Sequence, residues 1–290
     1  MGTLDRINPA AAAVYFLAAA GIAMFSMNPI ILTLSFLGSM CLFFVRNEKS
    51  NRKSHIYSLL FFIIMTVINP LVNHNGVTVM FVMNDNPITL EALIYGAAAS
   101  VMIISVMYWF RSFTDIMTSD KLLYIFGRLS PKLALILSMA LRFIPMFSRQ
   151  FKKTEQAQKA VGLNKNDNIA DTFKGKTGIF SIIVTWGLEN GIITADSMTA
   201  RGYGCAPRTG FSLFRWRKND ILFISLTLVL FIITLYGVSR AEFYYYPALS
   251  MTETDLPAVM GFTAYGLLAF LPTILEIKEA LRWKYLKSKI

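Results

Sequence analysis

The stretch AAAAVYFLAAAGIAMFSMNPIILTLSFLGSMCLFFV, residues 10–45, contains no charged side chain over 36 residues. As a single helix it would be about 54 Å long, whereas the hydrocarbon core of a bilayer is about 30 Å thick. The stretch must therefore fold back on itself, and Asn28-Pro29 near its middle is a turn signal. Two membrane-spanning helices are predicted here, at about 10–27 and 30–45.

The rest of the composition agrees with a membrane protein. Hydrophobic residues make up 55% of the chain and charged residues 16%, against roughly 25% charged residues in average soluble domains. Tyr108 and Trp109 end one of the later spans, and we expect them to lie in an interfacial aromatic belt. Four further spans are predicted, at about 56–72, 91–110, 221–238 and 256–275.

The net charge of +11 indicates the orientation of these spans. If both termini are cytoplasmic, 27 of the 28 basic residues fall on the inner side, and only Arg240 falls outside. Such an excess on one side is the positive-inside pattern of membrane proteins. We therefore predict a multi-pass membrane protein with both termini cytoplasmic. Nucleic acid is a poor alternative explanation of the charge, because the sequence contains no soluble binding module.

The predicted spans are almost entirely apolar. None has an ionisable residue near its middle, where proton relays, ion paths and intramembrane catalytic groups would lie. Cys41 and Cys205 together with His55 and His74 have no metal-ligand spacing. No catalytic residue, resident metal or cofactor is therefore predicted, and the spans suit a scaffold better than an ion pump or an intramembrane enzyme.

Segment 111–218 is different, since it has 17 basic and 7 acidic residues but also two long apolar stretches. The first stretch starts at Ser130-Pro131, an N-cap residue followed by proline at the first helical position. It is predicted to end at Gly162. We expect a cytoplasmic region in which two long amphipathic helices, at about 131–161 and 177–201, cross at the inner membrane surface. A membrane hairpin is the alternative for each stretch, but charges interrupt both.

The second stretch has two kinds of pattern. Small residues recur at every fourth position, which lets another helix cross at short range; they are Gly187, Gly191 and Ala195. Five apolar residues lie on one predicted helical face; they are Ile179, Ile182, Ile183, Trp186 and Ile193. The stretch is predicted to end at Gly202 and Gly204, which favour helix termination.

These elements resemble a known family. The sequence ADSMTARGYG at 195–204, followed by Arg208-Thr209, Phe211 and WRKND at 216–220, is similar to the T components of energy-coupling factor transporters, the EcfT and CbiQ family. The likeness extends to SMALRFIP at 138–145 and EQAQKA at 155–160, and it covers most of the chain. It implies an all-α protein of a prokaryotic cell membrane, with about six spans plus the cytoplasmic coupling region.

The resemblance also implies partners and a role. T components join a membrane S component, which binds the substrate, to two cytoplasmic ABC ATPases, and they carry no ATP site themselves. Each of two crossing helices ends in an Ala-Arg-Gly-like motif that docks in an ATPase groove. The second motif is complete here, with Ala200, Arg201 and Gly202.

The first motif departs from the family pattern. Val161 stands at the position of its arginine, in Lys159-Ala160-Val161-Gly162. Either Lys159 substitutes from one position away, or this tip docks by apolar packing, so the two ATPase contacts are expected to be unequal. The alternative function is a stand-alone secondary transporter, which predicts an ion or substrate site within the spans. The transported vitamin or transition-metal ion is not readable from the sequence.

The predicted orientation can be tested by labelling single cysteines in a variant that lacks Cys41 and Cys205. Because the basic segments mark the inner side, a membrane-impermeant maleimide added to intact cells should label Asp85→Cys. The same reagent should reach Lys165→Cys only after the membrane is opened. Labelling of the second variant but not the first in intact cells would reverse the orientation.

Overall fold

The computed structural model describes residues 3–46, 52–83, 86–162, 169–205, 214–251 and 255–287. Several residues used above lie outside these ranges, namely Asp85, Lys165, Arg208, Thr209 and Phe211. The described chain is almost entirely helical, apart from two short hairpins. The predicted all-α membrane fold is confirmed.

The elements follow in chain order. The first half contains α1 Thr3–Arg6, α2 Pro9–Phe25, α3 Pro29–Arg46, α4 Arg52–Val72, β1 Val79–Met83, β2 Asn86–Thr89, α5 Leu90–Ile116 and α6 Ser119–Leu129. The second half contains α7 Pro131–Ala160, α8 Ile169–Ala200, α9 Lys218–Val238, β3 Phe243–Tyr244, β4 Ser250–Met251 and α10 Leu256–Lys287. Strands β1 and β2 pair antiparallel, as do β3 and β4.

The chain divides into two compact units. The first comprises Met1–Leu122 with Phe214–Ile290, and the second comprises Leu123–Leu213. Within the described ranges, seven helices are long and apolar enough to cross a membrane; they are α3, α4, α5, α7, α8, α9 and α10. Helix α2 is apolar but shorter. Two of the seven, α7 and α8, are the helices that the sequence interpretation places at the membrane surface, and that placement stays a prediction.

Helix α10 packs very closely against two neighbouring helices of the first unit. A Cβ atom built on Gly237 of α9 would stand 2.5 Å from the Cα atom of Gly261, and one built on Gly38 of α3 would stand 2.8 Å from the Cβ atom of Ala269. The backbones therefore approach as closely as small residues permit. The hydroxyl of Tyr265 donates to the carbonyl of Ala19 at 3.2 Å, which also ties α10 to α2.

The predicted interfacial belt is wrong. Trp109 is fully buried and Tyr108 is buried too, because aromatic rings of α2 and α3 pack against them. Helix α5 does not end there but continues to Ile116. The indole N–H of Trp109 donates to the hydroxyl of Ser35 at 2.9 Å. The hydroxyl of Tyr108 lies 2.8 Å from Nδ1 of His55. Both polar atoms thus have a protein partner on a neighbouring helix and do not need the headgroup region.

The two hairpins and the α2–α3 turn lie at one end of the first unit. Asn28 in that turn donates its side-chain amide to the carbonyl of Ala241 at 3.0 Å, and Tyr245 donates its hydroxyl to the carbonyl of Met27 at 2.8 Å. Glu91, in the first turn of α5, accepts from the backbone N–H and the hydroxyl of Thr78. These contacts gather the segments that the charge pattern assigns to the outer side.

The opposite end of the first unit holds its charge network. The guanidinium of Arg46, at the end of α3, lies 3.0 Å from a carboxylate oxygen of Asp5 and 3.0 Å from one of Glu276. Glu276 also accepts the backbone N–H of Leu4 at 3.3 Å. A second pair joins Arg6 to Glu279 at 3.4 Å. The network holds the N-terminal residues and α3 against α10.

Lys121 adds a hydrogen bond at this same end. It is buried, and its ammonium group donates to the carbonyl of Ile116 at 3.0 Å. Burial lowers the pKa of Lys121, because desolvation disfavours the charged form. The nearby Asp5 opposes that shift and Arg46 adds to it.

Replacing Arg46 by methionine should destabilise the protein by about 3 kcal/mol, because two poorly hydrated carboxylates lose their counter-charge. The side chain of Arg46 is 15% exposed and that of Glu276 is 8% exposed. Unfolding in mixed detergent micelles measures the change. Arg6→Met is the control: its side chain is 55% exposed, and such pairs contribute about 1 kcal/mol or less. Equal losses in the two variants would contradict a central role for Arg46.

Candidate functional site: two helix tips beyond one crossing

Helices α7 and α8 of the second unit meet at an aromatic contact. A Cβ atom built on Gly187 would stand 2.8 Å from Cε1 and Cζ of Phe147, so the ring covers the glycine at van der Waals distance. The same ring packs edge-on against Trp186, with ring centroids 5.9 Å apart, and stacks with Phe143 of its own helix at 5.8 Å. The absence of a side chain at position 187 therefore creates the space for Phe147.

The three small residues singled out in α8 have different surroundings. Only Gly187 faces the Phe147 ring; a Cβ atom at Gly191 would meet nothing within 4 Å, and Ala195 is exposed. The predicted apolar face also divides, since Ile179 and Ile183 are buried. The remaining members of that face are Trp186, which is half-buried, and Ile182 and Ile193, which are exposed.

The C-terminus of α8 has a defined hydrogen-bonded cap. The backbone N–H of Gly202 donates to the carbonyl of Thr199 at 2.9 Å, and that of Tyr203 donates to the carbonyl of Met198 at 3.0 Å. Gly202 has a φ of +80°, so the pattern is a Schellman motif with glycine in the left-handed region. Arg201 is the cap residue between the last helical residue, Ala200, and this glycine.

The C-terminus of α7 has the corresponding geometry. The backbone N–H of Gly162 donates to the carbonyl of Lys159 at 3.1 Å, and Gly162 has a φ of +76°. Val161 is the cap residue after Ala160, the last helical residue. Ala160-Val161-Gly162 and Ala200-Arg201-Gly202 therefore occupy the same positions at the ends of the two helices. The alignment of Val161 with Arg201, drawn from the sequence, has a local structural counterpart.

The two tips are equally far along their helices from the crossing. Val161 follows Phe147 by fourteen positions, and Arg201 follows Gly187 by fourteen positions. At 1.5 Å per residue, each arm is about 21 Å long. The sequence analysis missed Phe147, because nothing in its neighbourhood distinguishes it from the many other phenylalanines. The spacing from Phe147 to Val161 equals that from Gly187 to Arg201, but this equality becomes informative only once the contact between Phe147 and Gly187 is known.

The tips differ in the side chain that they present. Arg201 is exposed, and no ion pair to it is found among the described residues. Val161 is 74% exposed and therefore presents an apolar side chain at the first tip. Lys159 is bonded to Glu155 at 2.8 Å, one turn earlier on the same helix. It is therefore engaged within α7, while Arg201 extends from the end of α8.

Among the described residues, no group of three or more histidine, cysteine, aspartate or glutamate side chains is able to hold a metal ion. Cys41 and Cys205 are both free thiols. The described part of the second unit presents two exposed helix ends with equivalent glycine positions.

Sequence comparisons agree with this picture. A family model described as cobalt transport protein, CbiQ, matches residues 3–210. The chain is 31% identical over 101 residues to the energy-coupling factor transporter transmembrane protein EcfT of Lactobacillus helveticus. It is 34% identical over 92 residues to EcfT 1 of Listeria monocytogenes and 37% identical over 101 residues to EcfT of Listeria innocua.

These alignments are partial. They cover 34%, 31% and 34% of this chain and 36%, 35% and 38% of the three relatives, respectively. The chain thus spans about a third of the length of the curated relatives that it matches. The family model, in contrast, extends over most of the chain.

The fold and the comparisons together define the class of this protein, which is a multi-pass helical membrane component of a transporter. The chain belongs to the CbiQ family, described as cobalt transport protein, and the family model covers α1 to α8 but not α9 and α10. Its relatives carry the name of the transmembrane protein of energy-coupling factor transporters. The family assignment made from ADSMTARGYG and the accompanying motifs is confirmed.

The crossing can be tested with matched glycine variants. Alanine in a helix interior is usually favoured over glycine by roughly 0.5–1 kcal/mol, so Gly191→Ala should raise the thermal unfolding midpoint slightly. Gly187→Ala should lower it, because the added methyl group overpacks the contact with Phe147 by about 1 kcal/mol or more. Phe147→Leu should remove most of this penalty in the double variant. Equal shifts for both glycine variants would place the crossing elsewhere.

Proposed function

We propose that this chain is the scaffold subunit of an energy-coupling factor importer, linking two cytoplasmic ABC ATPases to a substrate-binding S component in the membrane. The observation that carries the proposal is the equivalence of the two helix ends. Two tips with the same cap geometry, each about 21 Å beyond one crossing, fit a partner that presents two similar grooves. ATP binding and hydrolysis belong to those partner chains, and this chain is non-catalytic.

Arg201 is the proposed anchor of the second tip. As the cap residue of α8 it stands beside the last carbonyl groups of the helix, whose negative dipole end favours a cation. Its guanidinium fork can hold a carboxylate of an ATPase groove in a bidentate pair. Ala200 and Gly202 on either side are small, and Gly202 bends the chain away through its positive φ. A partner surface can therefore approach the arginine from the helix end.

The first tip docks differently in this proposal. Lys159 is bonded to Glu155 within α7, so its ammonium is a weak substitute for the missing arginine. Val161 is the exposed group at the equivalent position, and burying it in an apolar hollow of a partner would remove its surface from water. The two ATPase contacts are then chemically distinct, one apolar and one charged, and the charged contact contributes more to specificity.

The orientation follows from the charges. The N-terminus, the end of α3 and the end of α10 meet in the Arg46 and Arg6 pairs, so these basic segments share one end of the first unit. We place that end in the cytoplasm together with both tips, which is where ATPases lie. The six predicted spans then cross the membrane, and α7 and α8 lie along its inner surface.

Coupling in this arrangement is mechanical. When two docked ATPase subunits approach each other on binding ATP, they displace the two tips. Because the Phe147 ring is seated over Gly187, a displacement of one arm is passed to the other helix at that contact.

The exposed apolar side chains of α7 and α8 provide the surface on which an S component would be moved; they include Leu133, Ile136, Ile144, Phe180, Leu188 and Ile192. The cargo, a vitamin or a transition-metal ion, is held by that S component.

Arg201→Glu should weaken association with the ATPases by at least about 30-fold, since a charge pair is replaced by repulsion. The measurement is co-purification of the full chain with ABC ATPases cloned from the same genome and tagged on one ATPase, followed by coupled ATP hydrolysis. Val161→Glu at the equivalent position should have a smaller effect. Lys132→Glu, an exposed charge reversal at the other end of α7, should have none.

Normal association and hydrolysis by Arg201→Glu would contradict the docking role. Equal losses for Arg201→Glu and Lys132→Glu would show that only the overall positive charge of the second unit matters. Arg201→Lys separates the two kinds of contact further, because lysine keeps the charge without the bidentate fork. It should restore association in part.

A further inference from the structure

An open cleft of about 830 Å³ lies at the charged end of the first unit, between the start of α9 and the last turns of α10. Its size is in the range of pockets that bind small molecules. Basic, acidic and apolar side chains line it. The basic ones are Arg6, Arg217, Lys278 and Arg282, and the apolar ones include Leu222, Leu226, Leu271, Leu275 and Trp283.

The acidic side chains of the cleft are already engaged. Asp220 is buried, and its carboxylate accepts the backbone N–H groups of Asn8 at 3.2 Å and Arg217 at 2.9 Å. Glu279 lies 3.4 Å from the guanidinium of Arg6. Both carboxylates therefore serve the packing of the protein itself. The cleft still has four basic residues against these two acidic ones, so its net charge is positive.

Three cations of the cleft form no ion pair with any described residue. Arg217, Lys278 and Arg282 are exposed, and no ion pair to any of them is found in the described part of the chain. They come from two different helices and surround one opening. Like charges that are held together without a partner repel one another, and a bound anion relieves that repulsion.

The apolar residues continue the cleft into the membrane-spanning part of both helices. On α9, Leu222 and Leu226 follow Arg217 by about one and two and a half turns. On α10, Leu275 and Leu271 precede Lys278 by about one and two turns. The groove therefore runs about 10 Å from a charged mouth into apolar depth. Trp283 lies at the mouth, as interfacial tryptophans commonly do.

We propose that this cleft binds one anionic phospholipid from the leaflet at this end of the bundle. Its phosphate lies among Arg217, Lys278 and Arg282, and an acyl chain packs along Leu222, Leu226 and Leu275. Charge complementarity identifies this occupant: a free anion leaves the leucines uncovered, and an apolar peptide leaves the three cations unpaired. Basic pockets between membrane helices on the cytoplasmic side are general sites for acidic lipid headgroups. The inference does not depend on the docking role of the helix tips.

The test uses the full chain alone, without ATPases, in phosphatidylcholine nanodiscs with and without phosphatidylglycerol. Native mass spectrometry after release counts the retained phosphatidylglycerol, and titration gives its affinity. Lys278→Gln/Arg282→Gln should weaken that affinity by about 30-fold, at the usual contribution of each basic residue near an anionic surface. Lys284→Gln/Lys287→Gln removes the same charge from the last turn of α10, at residues that do not line the cleft, and it should retain the lipid.

Other outcomes overturn the proposal. Equal losses in the two double variants would show general attraction of the basic helix end to anionic membranes. Competition by glycerol 3-phosphate as effective as that by phosphatidylglycerol would show a simple anion site. Full retention by Lys278→Gln/Arg282→Gln would place the lipid elsewhere. Lys278→Arg/Arg282→Lys, which keeps both charges, should bind as the wild type does, and a loss in that variant would contradict charge recognition.

Discussion

The close approach of α10 to α9 and α3 is the constraint on which the first unit depends. Lipid tails are as apolar as leucine, so helices in a membrane gain little by hiding apolar side chains from each other, and they associate through van der Waals packing. Gly237 against Gly261, and Gly38 against Ala269, bring the backbones together with almost no side chain between them. Buried tyrosine hydroxyls then bond to backbone carbonyls of neighbouring helices, as Tyr265 does to Ala19. The outcome is a tightly packed bundle with its charges restricted to its ends.

The second unit is built on the opposite principle. No described side chain of α7 is buried, and the contact of α7 with α8 centres on Phe147, Trp186 and Gly187. A helix pair with so little shared core costs little to rearrange, because few packed contacts must be broken. Its ends, however, are rigidly defined by hydrogen-bonded glycine caps. A loosely packed pair of helices with well-defined ends suits an element that a partner subunit moves, which is the coupling role proposed above.

The spans were predictable because exclusion of charge from a 30 Å layer is a strong and local signal. The ends of the helices were less predictable. Helix α5 continues to Ile116 and α10 continues to Lys287, since a helix does not stop where the hydrocarbon layer ends. The failure at Trp109 has a specific reason. An indole needs a partner for its N–H, and the sequence cannot show that Ser35 of another helix supplies it. The same limit applies to Ile182 and Ile193, whose exposure depends on how far the α7–α8 contact extends.

The positive-inside rule does not explain the role of each individual basic residue. The positive-inside pattern accounts for the side on which the basic residues lie, but it does not distinguish one cation from another. The structure separates three kinds. Arg46 is enclosed by two carboxylates and holds the bundle together. Arg217, Lys278 and Arg282 surround an apolar groove and form no ion pair with any described residue, which is the arrangement that an acidic lipid satisfies. Arg201 is exposed at a capped helix end and is likewise not ion-paired within the described ranges. Each therefore implies a different partner: the protein itself, the membrane, and the proposed ATPases.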